Sequence, residues 1–182
     1  MKKFILFAAI LFAGVSVVKA DGPTASADAT LNVRLYPLQT IVVNPAQNNI
    51  NLDYVTVANY NDGVSSLQAD HLKIYSTGAF IVQVASANND ITRAGGTETI
   101  SASTIKVKAE EGTTNPLTGQ TMAEVGLSTT PTNLINSGTG GVDKNFNITY
   151  SGLDLNGYVN NYFNDENPTV YSTTVTYTIA AQ

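Results

Sequence analysis

The chain ends in Tyr171-Ser-Thr-Thr-Val175-Thr-Tyr177-Thr-Ile179-Ala-Ala-Gln182, the stretch that most narrows what it can fold into. Tyr171, Val175, Tyr177 and Ile179 hold odd positions, while Ser172, Thr174, Thr176 and Thr178 hold even ones. Successive side chains of a strand face opposite ways, so one face is apolar and the other carries hydroxyls. Thr and Tyr suit a pleated surface, and no Pro or Gly interrupts the run. A long strand with one apolar face requires a sheet to cover it.

The upstream chain reads as that sheet. Ala25, Ala27, Ala29, Leu31, Val33 and Leu35 alternate, growing in size toward the domain. This segment is expected either to begin the first strand or to add itself as a strand to another subunit's sheet edge. Pro37 breaks the run, and Ile41 and Val43 resume it, as in a strand that switches sheets. Asn49 to Tyr60 is expected to be a second strand, with a bulge where the alternation shifts to Val55 and Val57. Leu72 and Ile74, then Ser76-Thr77-Gly78, then Phe80, Val82 and Val84 read as a hairpin. Further strands are expected at Ile105–Val107, with Lys106 and Lys108 facing out, around Val125 and Leu127, and at Phe146–Tyr150. About seven or eight short strands, with Gly, Pro and Asn turns and no long helix, predict an all-β, immunoglobulin-like β-sandwich.

Residues 1–20 read separately. Lys2 and Lys3 precede an apolar run that ends at Val18-Lys19-Ala20, the pattern of a cleaved, bacterial-type secretory signal peptide. The expected layout is signal peptide 1–20, a flexible extension 21–30 and one sandwich domain 31–182. Without Lys2, Lys3 and Lys19, acidic residues outnumber basic ones heavily, which disfavours nucleic acid and anionic membrane surfaces as partners. No transmembrane segment is expected once the signal is removed. The chain has no cysteine, which excludes thiol catalysis, cysteine zinc sites and disulfide support.

Candidates for chemistry are sparse. His71, the one histidine, stands without a nucleophile-elbow pattern and reads as a surface turn residue. Glu110-Glu111 and Asp165-Glu166 read as solvated turn charges rather than a paired acid and base, and no tryptophan offers a sugar platform. Asn61 and Asp62, together with Asn59, and separately Asp165 and Glu166, with Asn164 and Asn167, offer oxygen ligands for calcium without EF-hand spacing. Asn and Asp are equally ordinary turn residues. Asn147-Ile148-Thr149 matches a glycosylation sequon but falls inside a strand pattern. Tyr158 and Tyr162 lie in a polar loop where they could form a contact surface.

The last strand resembles the C-terminal signature of WxL-type cell-surface domains, in which a Tyr stands six residues before Trp-x-Leu. Here Tyr171 precedes Tyr177-Thr178-Ile179 at that distance. The flow from Leu72-Lys-Ile74 through Ser76-Thr77-Gly78 to Phe80-Ile-Val82-Gln-Val84, and later Phe146-Asn-Ile148-Thr-Tyr150, is also similar to cysteine-free pilins and spore-coat-U-like secreted domains. The resemblance implies an exported structural or adhesive domain at the cell surface, not an enzyme. The expected partners are further copies or other surface proteins, through Leu31, Val33 and Leu35 as inserting residues and Tyr171, Val175, Tyr177 and Ile179 on the receiving sheet. The alternative expectation is an extracellular binding module for a glycan or surface protein, with calcium as its candidate cofactor.

Overall fold

The computed structural model describes residue 22 and residues 25–182, so the expected signal peptide lies outside the described residues. The compact unit runs from Leu35 to Gln182. Its fold is an all-β sandwich. One sheet has the order β1-β2-β10-β6-β8, from Gln39–Val43, Ser65–Ser76, Gly141–Ser151, Lys106–Glu111 and Glu124–Gly126. The other has the order β11-β3-β9-β7, from Val175–Ala181, Phe80–Ser86, Thr132–Ser137 and Thr121–Met122. A two-stranded ribbon of β4, Asp90–Thr92, and β5, Thr99–Ser101, completes it. Every named strand pair is antiparallel. Among the described residues, no helix is long and apolar enough to cross a membrane.

The alternation read from the sequence sets which faces meet. Leu72 and Ile74 of β2, Phe146 and Ile148 of β10, and Val107 of β6 face Phe80, Val82 and Val84 of β3 and Ile135 of β9. All are buried and form one continuous core. Tyr171, Val175, Tyr177 and Ile179 pack against it from the flank, each only partly buried.

The expected hairpin at 72–84 proves to be a link between sheets. β2 belongs to one layer and β3 to the other, so their apolar faces oppose across the core rather than pairing side by side. A short Gly-containing connection serves either geometry, and the sequence signal does not separate them. Ser76 makes the corner: its hydroxyl donates to the Gly78 carbonyl at 2.7 Å. β9 and β10 cross between sheets at the same end through a matching corner, where Ser137 Oγ donates to Thr139 O at 2.9 Å. The two crossings press together so closely that a Cβ on Gly140 would run into the Ser76 carbonyl. Glycine there is a packing requirement.

Asn49 to Tyr60 is not a strand. Ile50 and Leu52 lie against the core in an irregular segment, and Val57–Asp62 forms a short helix, α1. The reason is a reciprocal cap. Asn59 N–H donates to Thr56 Oγ1 at 3.2 Å, and Thr56 N–H donates to Asn59 Oδ1 at 2.9 Å. This pairing satisfies two backbone donors that would otherwise be orphaned at a helix start.

The strand carrying Tyr171 is also shorter than its pattern. Regular pairing begins at Val175, and Tyr171 makes only an isolated bridge to Arg93. Arg93 ties down the intervening loop. Its guanidinium pairs with Glu166 at 2.5 Å and Glu98 at 2.7 Å and lies 3.9 Å over the Phe163 ring.

Candidate functional site

The segment leading into the domain is the least expected feature of the surface. Residues 25–38 have no regular secondary structure and are exposed throughout. Leu31, Val33 and Leu35 stand 89%, 77% and 89% exposed, separated by polar Asn32 and Arg34. The strand expected at Leu31–Leu35 is therefore not formed within the chain. It has the alternation of a half-buried strand with its large side chains exposed, a costly way to leave three apolar side chains.

A sheet edge with complementary features exists on β11. β11 is the outermost strand of its sheet and pairs only with β3. The bonds that bracket this ladder fix which backbone groups are spent. Ala87 N–H donates to Thr174 O at 2.9 Å, and Gln182 N–H donates to Ala79 O at 3.2 Å. Antiparallel ladders alternate, so the even residues of β11 bond to β3 while Val175, Tyr177, Ile179 and Ala181 aim their N–H and C=O groups outward. Of these, Val175, Tyr177 and Ile179 turn their side chains inward toward the core.

Natural sheets guard such edges with charges, prolines, bulges or shortness. The other edges are guarded: β7 has two residues, β8 has three with Glu124 among them, and β1 lies between Pro37 and Pro45. β11 presents seven residues without a charge, Pro or Gly. Its outward face shows Thr176 and Thr178.

Behind β11 lies a buried polar chain. His71, read from sequence as a surface residue, is 1% exposed. A bulge in β2 causes this: Phe146 pairs with Leu72 but Ile148 with Gln68, and Asp70 between them takes φ 50. The bulge turns His71 and Leu72 both inward. Gln47 Nε2 donates to the Ala69 carbonyl at 2.9 Å, which leaves its Oε1 to face His71 Nδ1 at 2.9 Å. His71 therefore carries its proton on Nδ1 and accepts at Nε2 from the Tyr150 hydroxyl at 3.0 Å. Tyr150, its own proton committed, then accepts from Tyr177 at 2.6 Å. The chain connects β2 and β10 of one sheet to β11 of the other.

Burial lowers the His71 pKa and raises those of Tyr150 and Tyr177, with Tyr150 pushed up to about 12. The sign of the stability effect follows. Below about 6.5 the unfolded histidine takes up a proton that the folded one refuses, so stability falls as pH drops through that value. Above about 10 the unfolded tyrosines lose protons that the folded ones keep, so stability falls again. Thermal midpoints measured from pH 5 to pH 11 are expected to show a plateau between these limits. As His71 is the one histidine, it should make unfolding near pH 6 take up protons, at most one from this residue. A midpoint that rises on acidification across this window would contradict the chain.

The remaining candidates fall elsewhere. Asn61 Nδ2 donates to Asp62 Oδ1 at 2.6 Å at the end of α1. Asp165 is exposed, whereas Glu166 is half-buried against Arg93, which corrects its reading as a solvated turn charge. Among the described residues, no three His, Cys, Asp or Glu side chains group as a metal site would require. Glu110 pairs with Lys108 at 2.8 Å. Asn147, of the sequon, accepts from Asp70 N–H at 2.7 Å within the sheet. Tyr158 is part of the packing, edge-on to Tyr54 and bonded to Thr104 at 2.7 Å, while Tyr162 is exposed.

No protein-family model matches the chain. A search of curated proteins likewise finds no match.

Proposed function

We propose that this protein is an exported, surface-associated structural subunit that assembles by β-strand addition. Leu31, Val33 and Leu35 of one copy enter as the inward-facing residues of a strand laid along β11 of the next. Val175, Tyr177 and Ile179 receive it through their outward backbone groups, and Tyr171 continues the same flank. The observation that carries this reading is the pairing of an exposed alternating segment with a long edge strand free of charge, Pro and Gly, beside which β1 of the other sheet also lies. Main-chain hydrogen bonds would supply the affinity and the alternate side chains the register. Because donor and acceptor are different surfaces, such contacts run head to tail and need not close.

The native lack of cysteine makes a direct test clean. Asn32→Cys in one copy and Thr178→Cys in another place thiols on the outward face of the proposed pair. Oxidation should join different copies, and the linked species should survive detergent until heated or reduced. Thr40→Cys on β1 and Thr121→Cys on β7 serve as comparison edges. Linkage there instead of at β11 would reject the receiving edge. A protein that stays monomeric at every concentration would reject assembly itself.

A further inference from the structure

The two sheets differ in what they show to solvent. Lys73 of β2, Lys106 and Lys108 of β6 and Glu124 of β8 are exposed on the larger sheet. In the smaller sheet no Asp, Glu, Lys or Arg occurs in any of the four strands. Its outer face can be read from the pairing, because residues directly opposite one another share a face. One row crosses it as Thr178, Gln83 and Asn133, and the next as Ala180, Ile81, Asn136 and Thr121. Thr176 with Ala85 begins a third. Buried Val82 and Val84 flank Gln83 on β3, which places these rows on the side away from the core. Gln83 Nε2 donates to Asn133 Oδ1 at 2.9 Å, and this leaves Gln83 Oε1 and Asn133 Nδ2 without a partner among the described residues.

Charge decides what such a face can meet. The cores of protein interfaces are depleted of charged residues, because an ion gives up its water at high cost. Hydroxyls, amides and small apolar groups can be covered cheaply if new hydrogen bonds replace those to water. A charged partner finds nothing here to pair with. A second copy of the chain does. Thr, Asn and Gln each donate and accept, so the face complements itself across a two-fold axis. The chain carries a formal net charge of −5, so two copies repel one another and meet with least opposition where neither presents an ion.

We infer that the outer face of the smaller sheet is a self-association surface, joining two copies through the same residues on each. Four strands, the longest of seven residues, span no more than about 400 Å², roughly half of what each partner buries in a standard interface. The contact is therefore weak between single copies and gains strength where copies are already linked, since linked contacts add. It uses outward side chains, whereas strand addition uses the backbone edge of β11, so either can fail without the other.

The test isolates the face by using Val33→Asp, a variant disabled for strand addition. Amide shifts of the mature Val33→Asp chain are followed from about 20 μM to about 2 mM, the range in which so small a contact begins to populate. Concentration-dependent shifts should cluster at Gln83, Asn133, Asn136, Thr176 and Thr178. Adding Gln83→Glu sets two carboxylates against each other across the axis and should weaken association roughly tenfold or more. Thr149→Glu, beside Lys108 on the larger sheet, adds the same charge elsewhere and should leave most of the association. Thr178→Glu repeats the test at an exposed position if Gln83→Glu does not fold, and the amide spectrum of each variant reports its fold. An absence of concentration dependence overturns the proposal, and so does a cluster of shifts on the larger sheet. Full retention in Gln83→Glu overturns it too. Equal losses in Gln83→Glu and Thr149→Glu would do the same, because they would mark repulsion between whole molecules rather than a contact.

Discussion

Val33→Asp is expected to abolish assembly while leaving the monomer's thermal midpoint unchanged. Val33 is 77% exposed, so a carboxylate there meets water. In the assembled state the same position faces inward between Leu31 and Leu35, where an unpaired carboxylate would lose its water without compensation, at a cost of several kcal/mol. Sedimentation or light scattering should show the assembled species falling below detection. Asn32→Asp, one residue away, makes the same chemical change on the face that stays in water and should assemble normally. The contrast between neighbours is what strand addition demands, because side chains alternate with period two. Normal assembly of Val33→Asp would reject the mechanism. A monomer that unfolds would show that the segment belongs to the resting fold.

The second large effect lies in the core. Tyr150→Phe removes one oxygen and orphans two neighbours: His71 Nε2 loses its donor and Tyr177 its acceptor. At roughly 1–3 kcal/mol for each buried group left unpaired, the fold should lose about 2–6 kcal/mol. Tyr177→Phe removes the terminal donor and leaves the bond from Tyr150 to His71 in place. It should cost about 1 kcal/mol or less. Urea denaturation of both variants tests the direction of the proton chain as well as its strength. Equal losses would mean that the protons do not run from Tyr177 toward His71.

How much of this was legible depends on the range of the deciding interaction. The face of β11 could be read directly, because Val175, Tyr177 and Ile179 obey the alternation and their partner is a core of any composition. The same rule found the inward faces of β10 at Phe146–Tyr150 and of β6 at Val107. It failed at 49–60 because Ile50, Leu52 and Tyr54 alternate equally well in an irregular segment pressed on the core. There the local signal was Thr56 with Asn59 three residues later, a capping pair that is easily passed over because Asn takes the place usual for Glu or Gln. His71 was illegible for another reason. Its burial follows from a bulge opposite Asn147, and nothing within a few residues of His71 encodes that register. The receiving edge was partly legible. The sequence names the residues of β11, but that this strand ends a sheet depends on β3 pairing with β9 on its other side.

The two crossings at Ser76 and Ser137 also govern when the chain can fold. They send consecutive strands to opposite layers, so ladders join distant segments: β2 with β10 in the middle of one sheet, and β3 with the edge strand β11 in the other. Neither ladder can close until nearly all of the polypeptide is available, and β11, the last strand, completes its sheet only at the end. Chains dominated by such distant pairings fold slowly. A polypeptide emerging from its N-terminus thus stays without these ladders through most of its synthesis. Under the proposed export, that delay would keep the chain in a state that can still be threaded through a membrane.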